Sequence, residues 1–366
     1  CAASSNMIII GPIVVTEDVP MDLNRAIEEL LKDRGAIKVG FANKDSLAGG
    51  PPSTDLDYVF NAADIAQEAR SAVSFALPLD QDAIRQFIAK KDQHAHTADN
   101  RRTIAKSIRL SNEVAELLRN EGYAALGTDA NSTYRQEVPL WHRFLPPDIS
   151  HRYIAVAAGV ASFGWSGNVG LPGYGSTIIL GTTVTSAELE TTDPMPEEEN
   201  FCEWAKSGGR VDCKLCVESC VVEMFEKNDA EYVTLGDNTY TYSRRRNTNR
   251  CVFGCGGNTG LHKSGKWSTW SPGRYKLPDD PIKLNRELRR STAQRQEHPP
   301  VTPAATCGMC QLVCFGDKKE NAKNFKLLSK SGCAVQEPDG TLVILSAEEA
   351  AEKLRTMPQE HSALYS

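Results

Sequence analysis

The chain has 366 residues, is 40% hydrophobic and carries a formal charge of −6. It is long enough for two domains or one domain with a large insertion, and its acidic balance speaks against a large nucleic-acid footprint, which shows as a basic domain. No apolar run reaches the roughly 18 residues of a membrane span. Residues 7–15 are too few and lack a basic flank, and no twin-arginine or secretory pattern is present, so a cytoplasmic protein is expected unless a leader preceded residue 1.

In chain order, residues 23–33 carry apolar side chains at helical spacing, with Asp22 as N-cap. Residues 36–42 read as a short strand and 62–69 as a helix. The run SAVSFALPL, 71–79, reads as a buried strand closed by proline. Residues 83–91 and 102–121 read as helices, the second stopped by Gly122. A strand begins at 123–126, and a helix spans 148–161 with Asp148 or Ser150 near its start. The β-branched run STIILGTTVT, 176–185, is the clearest strand. Helices alternating with short apolar strands predict a layered α/β domain ending near residue 190. Residues 191–200, acidic and proline-containing, read as a linker. From Cys202 onward the chain is loop-rich, and 228–300 reads as an insertion. The tail holds a strand at 341–345 and a helix at 347–356.

The eleven cysteines are unevenly spread: apart from Cys1, all fall between Cys202 and Cys333. In so long a chain, clustering of that kind points to metal or cofactor ligation rather than disulfide stapling. Cys213, Cys216 and Cys220 form a C-x2-C-x3-C run, and Cys307, Cys310 and Cys314 form another. Two cysteines separated by two residues turn their sulfurs toward one cubane. The third ligates the neighbouring cubane, as in two-cluster ferredoxins. By that rule Cys202, Cys213, Cys216 and Cys314 share one [4Fe–4S] cluster, and Cys220, Cys307 and Cys310 belong to a second. Its fourth ligand is Cys251, with Cys255 as the alternative. Arg210 stands where the first group lacks a cysteine, so Cys202 reaches across a ten-residue loop, and neither run is followed by proline. One zinc ion on the two C-x2-C pairs would leave Cys202, Cys220, Cys251 and Cys314 without a role. Cys1 and Cys333 read as free thiols.

From about residue 20 to 320 the chain resembles the corrinoid-dependent reductases that comprise reductive dehalogenases and epoxyqueuosine reductases. Three stretches carry the resemblance. Residues 69–73 (ARSAV) with Ala76-Leu77-Pro78 look like the family's first core strand. Phe163-Gly164-Trp165-Ser166-Gly167-Asn168, then Gly173-Tyr174-Gly175-Ser176, look like its corrinoid-facing segment. The cysteine groups follow in the family's order. The resemblance implies an α+β fold: a nitroreductase-like α/β corrinoid-binding domain over 1–195, and a ferredoxin-like two-[4Fe–4S] domain over 196–335 that carries the insertion 228–300. Residues 336–366 form a tail. It implies cobalamin bound base-off. That agrees with the absence of D-x-H-x-x-G: Asp92-Gln93-His94 comes nearest but has Thr97 where glycine belongs. His94 and His96 read as surface residues. The resemblance also implies Phe163, Gly164, Trp165, Gly167, Asn168, Gly173, Tyr174, Gly175 and Ser176 as cofactor-binding, and an external electron donor such as a ferredoxin or flavodoxin.

The two branches differ in their proton donor. Epoxyqueuosine reductases place an aspartate sixteen residues before the Gly-Trp motif, which lands on Asp148. Dehalogenases use a tyrosine supported by a basic residue; Tyr153 lies close by, with His151 and Arg152 between. A nearby cation eases proton donation from a phenol, whereas Asp148 equally reads as a helix cap. In the insertion, Arg244, Arg245, Arg246, Arg250, His262, Lys263, Lys266, Trp267 and Trp270 suit a flat aromatic substrate, an RNA or a solvated basic loop. Trp141, His142 and Arg143 are further candidates for lining the same cavity. The acidic charge, Phe315-Gly316-Asp317 after the second cysteine group, and the long insertion favour a small-molecule, dehalogenase-like reductase over a tRNA-modifying enzyme. A non-catalytic electron carrier is the reading from another class.

Overall fold

The computed structural model describes residues 21–129, 133–297, 307–362 and 365. Cys1 and residues 7–15 lie outside them. The first half is built on helix α1 (Leu23–Asp33), strand β1 (Lys38–Asn43), α2 (Leu56–Ala62), β2 (Ser71–Pro78), α3 (Gln81–Ile88) and α4 (His94–Asn120). Then follow β3 (Ala125–Gly127), α5 (Trp141–Phe144), α6 (His151–Ala157), the short pair β4 (Ser162–Phe163) and β5 (Val169–Gly170), and β6 (Ile178–Thr185). Strands β1, β2, β6 and β3 form one antiparallel sheet in that order.

Period-two burial along β2 shows how the sheet is covered. Val73, Phe75 and Leu77 face Ile27 and Leu31 of α1 and Leu110 and Val114 of α4. Ala72 and Ala76 face Ile154, Ala155 and Val156 of α6 and Leu56 and Phe60 of α2. Each large side chain so buried contributes about 2 kcal/mol. Phe75 sits opposite Gly181 in the register, and a Cβ at 181 would fall 2.1 Å from its ring.

Asp22 caps α1 by accepting from the Arg25 N–H, as its spacing predicts. Other boundaries move. The helix read at 62–69 lies earlier, at Leu56–Ala62, where Asp55 supplies the cap. Helix α4 begins at His94 rather than 102, which packs His96 edge-on against Phe87, their ring centres 4.8 Å apart. His96 is therefore buried, not a surface residue, whereas His94 is exposed. Helix α6 starts after Ser150, and the Asp148 carboxylate accepts from the Ile149 N–H instead of capping it.

The second half holds α7 (Glu203–Lys206), α8 (Leu215–Glu218), the strands β7 (Phe225–Leu235) and β8 (Asn238–Arg245), α9 (Asn249–Cys255) and α10 (Pro281–Glu297). After them come α11 (Met309–Leu312), α12 (Lys318–Ser329), the pair β9 (Cys333–Gln336) and β10 (Leu342–Leu345), and α13 (Ala347–Thr356). Within 228–297 the chain forms most of a hairpin and two helices, joined by an irregular stretch at 256–280. Its tryptophans are core: Trp267 stacks on His262, and Trp270 donates to the Phe87 carbonyl at 2.9 Å. Among the described residues no helix is long and apolar enough to cross a membrane.

Candidate functional site

Ten cysteines are described, and none is disulfide-bonded. They sort into two groups. Cys202, Cys213, Cys216 and Cys314 line one small cavity with Asn321. Burial pushes the Cys314 thiol up to about 12, with Cys202 and Cys213 adding to it. Cys216 is raised further, again by burial and then by Cys202 and Cys314. In the other group, Cys220 is pushed up to about 12 by burial and feels Cys307 and Cys251. Cys310 is raised by burial and feels Cys220, Cys251 and Cys307. Cys255 is 3.7 Å from Cys251, its partner one turn away on α9, and donates to Cys307. The two C-x2-C pairs fall in different groups, so they do not share one tetrahedral zinc site. Among the described residues no three His, Cys, Asp or Glu side chains converge as ligands of a single ion. Cubane ligands stand wider apart, with the cluster body between them.

Cys216, Cys220, Cys310 and Cys314, buried and crowded, resist ionisation unless a cation neutralises them, whereas the bond from Cys255 lowers Cys307 to about 7. Iron would supply that charge, and amide donors are already aimed at the sulfurs. Asn321 Nδ2 lies 3.7 Å from Cys314 Sγ, and Asn168 Nδ2 lies 3.7 Å from Cys310 Sγ. The residues present therefore fit two clusters.

Beside the second group opens a cavity of about 620 Å³, within the range of cofactor sites. Its walls come from α4 (Ile104, Ser107, Ile108), the turn before α6 (Pro146, Pro147, Ile149), α6 itself (His151, Arg152, Tyr153) and β6 (Ile178, Ile179, Leu180). Asn168, Ser176, Arg245 and Gln311 close the side toward the cysteines. Asn168 joins the two regions: its Oδ1 accepts from Arg245 Nη2 at 3.2 Å while its Nδ2 reaches Cys310.

Tyr153 faces the cavity, and its hydroxyl is 3.0 Å from that of Tyr242. The Arg152 guanidinium lies 5.5 Å from the Tyr153 ring centre and donates to the Gly167 carbonyl at 2.6 Å. Burial, then repulsion from Arg245, lowers Arg152 to about 10. Burial drives Tyr242 upward, so it stays a phenol. His151 Nδ1 is 2.8 Å from Thr182 Oγ1, its buried Nε2 has no partner, and burial lowers it to about 4. The imidazole is thus neutral near pH 7. Asp148 lies between wall residues but is not itself part of the wall.

Of the nine residues expected to hold a cofactor, Asn168 and Ser176 line the cavity. Phe163 packs behind it among Tyr153, Tyr240 and Tyr242. Trp165 lies against Trp204, ring centres 4.0 Å apart, near Cys202. Gly164 packs on Phe201, and Gly175 on the Cys314 backbone. Gly167 takes the Arg152 bond, and the Gly173 carbonyl accepts from Gln81. Tyr174 is half-buried against the sheet core. Of the basic insertion residues, Arg245 alone reaches the cavity wall. Arg244 pairs with Asp229, Arg246 with Glu226, Arg250 with Asp279 and Lys263 with Glu223. Trp141, His142 and Arg143 do not line the cavity, whereas Phe144 and Leu145 do. Tyr242 is the residue that sequence reasoning missed. Its signal is the alternation Tyr240-Thr241-Tyr242 after the Gly236-Asp237 turn.

No known family's sequence profile matches the chain, and no curated protein matches it. Among solved structures, it is similar to the catabolic reductive dehalogenase NpRdhA in complex with 3-bromo-4-hydroxybenzoic acid. Identity is 14% and the TM-score 0.45, over 63% of this chain and 28% of that one. It is similar to a reductive dehalogenase described for B12-dependent dehalogenation, at 13% identity and TM-score 0.48, over 87% of this chain and 40% of that one. It is similar also to epoxyqueuosine reductase from Bacillus subtilis, at 14% identity and TM-score 0.36, over 84% and 81% of the two chains. The chain thus spans well under half the length of the two dehalogenases. These two enzyme groups are the ones its sequence motifs resemble.

Proposed function

We propose that this chain is a cobalamin- and iron–sulfur-dependent reductase of the reductive dehalogenase kind, acting on a small organic substrate such as an organohalide. In this reading a nitroreductase-like half forms the cavity and a ferredoxin-like half carries the cysteines. Cys202, Cys213, Cys216 and Cys314 hold one [4Fe–4S] cluster; Cys220, Cys251, Cys307 and Cys310 hold the other. A corrinoid would be held in the 620 Å³ cavity by walls that include Asn168, Ser176 and Tyr153, and would supply a low-potential cobalt centre for reduction of the substrate. One observation carries the reading: Asn168 touches Cys310 with one end of its amide and forms part of the cavity wall, so the second cysteine group abuts the cavity.

The chain's own residues supply the proton and its control. Tyr153 donates from its hydroxyl into the cavity. Arg152, beside the ring, stabilises the phenolate left behind, and Tyr242 hydrogen-bonds to it. His151, neutral and held by Thr182, adds a polar wall without adding charge. An electron carrier without catalysis has no use for a cavity of this size. The alternative, an epoxyqueuosine reductase-like enzyme, needs the turn at 146–150 to swing Asp148 into the cavity.

Anaerobic purification with iron, sulfide and cobalt analysis tests the reading: about eight iron and one cobalt per chain are expected, and cobalt-free protein with full clusters would leave only a carrier. Tyr153→Phe is expected to lower turnover of a halogenated phenol by about 10²-fold or more with Asp148→Asn near wild type. The reverse ranking, with activity on epoxyqueuosine-bearing tRNA, would establish the alternative.

A further inference from the structure

Helix α12 carries Lys319, Lys323, Lys326 and Lys330 at intervals of four, three and four residues, which places them on one face. All four are exposed, as is Lys91 just after α3. Arg85, Lys91, Lys323, Lys326 and Lys330 rim a hollow of about 550 Å³ whose floor is Ala89 and Leu327, the leucine 39% exposed, and Lys319 continues the basic face beyond it. Lys323 is paired with Glu320 and Arg85 with Asp82 and Glu320. Lys91, Lys319, Lys326 and Lys330 form no ion pair among the described residues. This concentration of positive charge stands on a molecule whose net charge is −6.

The same helix reaches the first cysteine group from its other face. Asn321 is buried, its Nδ2 lies 3.7 Å from Cys314 Sγ, and it lines the small cavity with Cys202, Cys213 and Cys216. The basic face and the first cysteine group are therefore two sides of one α-helix. The second group lies beyond, against the large cavity.

We infer that the α12 face is the docking surface of an acidic ferredoxin. An apolar floor inside a positive rim is the complement of an acidic redox protein: charge steers the encounter and the small apolar centre seats it. Interfaces of this kind are small and short-lived. The inference rests on the cluster reading above. Each encounter oxidises the ferredoxin by one electron and reduces the first cluster by one, so a two-electron substrate reduction takes two encounters.

The test compares the holoenzyme with its Lys319→Glu/Lys326→Glu/Lys330→Glu variant, following the visible absorbance of the clusters. Two reductants are used: a reduced plant-type acidic ferredoxin and dithionite. In wild type the ferredoxin-driven rate is expected to fall steeply with salt, and in the variant to be lower by about tenfold or more at low salt, while dithionite reduces both proteins equally. An unchanged ferredoxin rate in the variant, or a wild type that this ferredoxin fails to reduce, overturns the docking surface and leaves the clusters standing. Failure of dithionite to bleach either protein sinks the cluster reading itself. Tight tRNA binding that the triple substitution abolishes, with ferredoxin reduction intact, assigns the face to nucleic acid instead.

Discussion

At the scale of single residues, the second cysteine group holds one thiol more than a cubane needs. Cys251 and Cys255 stand one turn apart on α9 with their sulfurs 3.7 Å apart, both interact with Cys307, and the proposed assignment gives the cluster to Cys251. Cys251→Ala is therefore expected to lose about half of the iron, and Cys255→Ala to keep it; iron and sulfide counts on both variants decide. His151 gives a second prediction. The unfolded chain protonates it near pH 6.5, the folded chain only near 4 because the ring is buried. Its neutral form thus costs nothing above pH 6.5, and stability is lost progressively as pH falls toward 4. At pH 5.5 the loss is about 1 kcal/mol, seen as a drop in Tm between pH 7.5 and 5.5 that is smaller in His151→Gln.

At the scale of elements, composition misled where periodicity was available. Residues 228–300 are rich in Gly, Asn, Ser and Arg, which reads as loop. Yet Val233 and Leu235 alternate with polar neighbours up to Gly236-Asp237, and Tyr240 and Tyr242 alternate after it. That period of two builds the hairpin and brings Tyr242 to Tyr153. The sheet strands were legible because burial on both faces writes long apolar runs such as 71–79. That Cys202, Cys213, Cys216 and Cys314 line one cavity agrees with the spacing C-x2-C-x3-C, which sets where three sulfurs point. What lines the large cavity was not legible, since that depends on which turn faces which helix. Of the segment 163–176 Asn168, Val169 and Ser176 do so, and the rest brace the wall. Gly175 shows how tightly: at φ +58, its Cβ would lie 2.2 Å from the Cys314 carbonyl oxygen. Gly175→Ala is expected to cost at least about 1 kcal/mol and to release iron from the first cluster, read as a lower Tm with a fall in iron content.

At the scale of the molecule, the parts form a series of contacts: α12 carries its lysines on one face and Asn321 against Cys314 on the other, and Asn168 joins Cys310 to the wall of the 620 Å³ cavity that Tyr153 lines. Chain order does not announce this series. It arises because residues 309–316 fold back onto the segment after β5, where Ser176 N donates to the Cys314 carbonyl and Ser176 Oγ to that of Gln311.

On the proposed cluster reading, the seam between Ser176 and the Cys310–Cys314 turn ties the two cofactor sites together: the turn that carries Gln311 into the cavity wall has a cluster ligand at either end, so loading the clusters is expected to set that wall. Protein matured without iron is expected to take up no cobalamin in a spectroscopic titration, whereas iron-loaded protein lacking cobalamin takes it up readily. Equal uptake by both would mean that the vitamin pocket sets independently of the metal beside it.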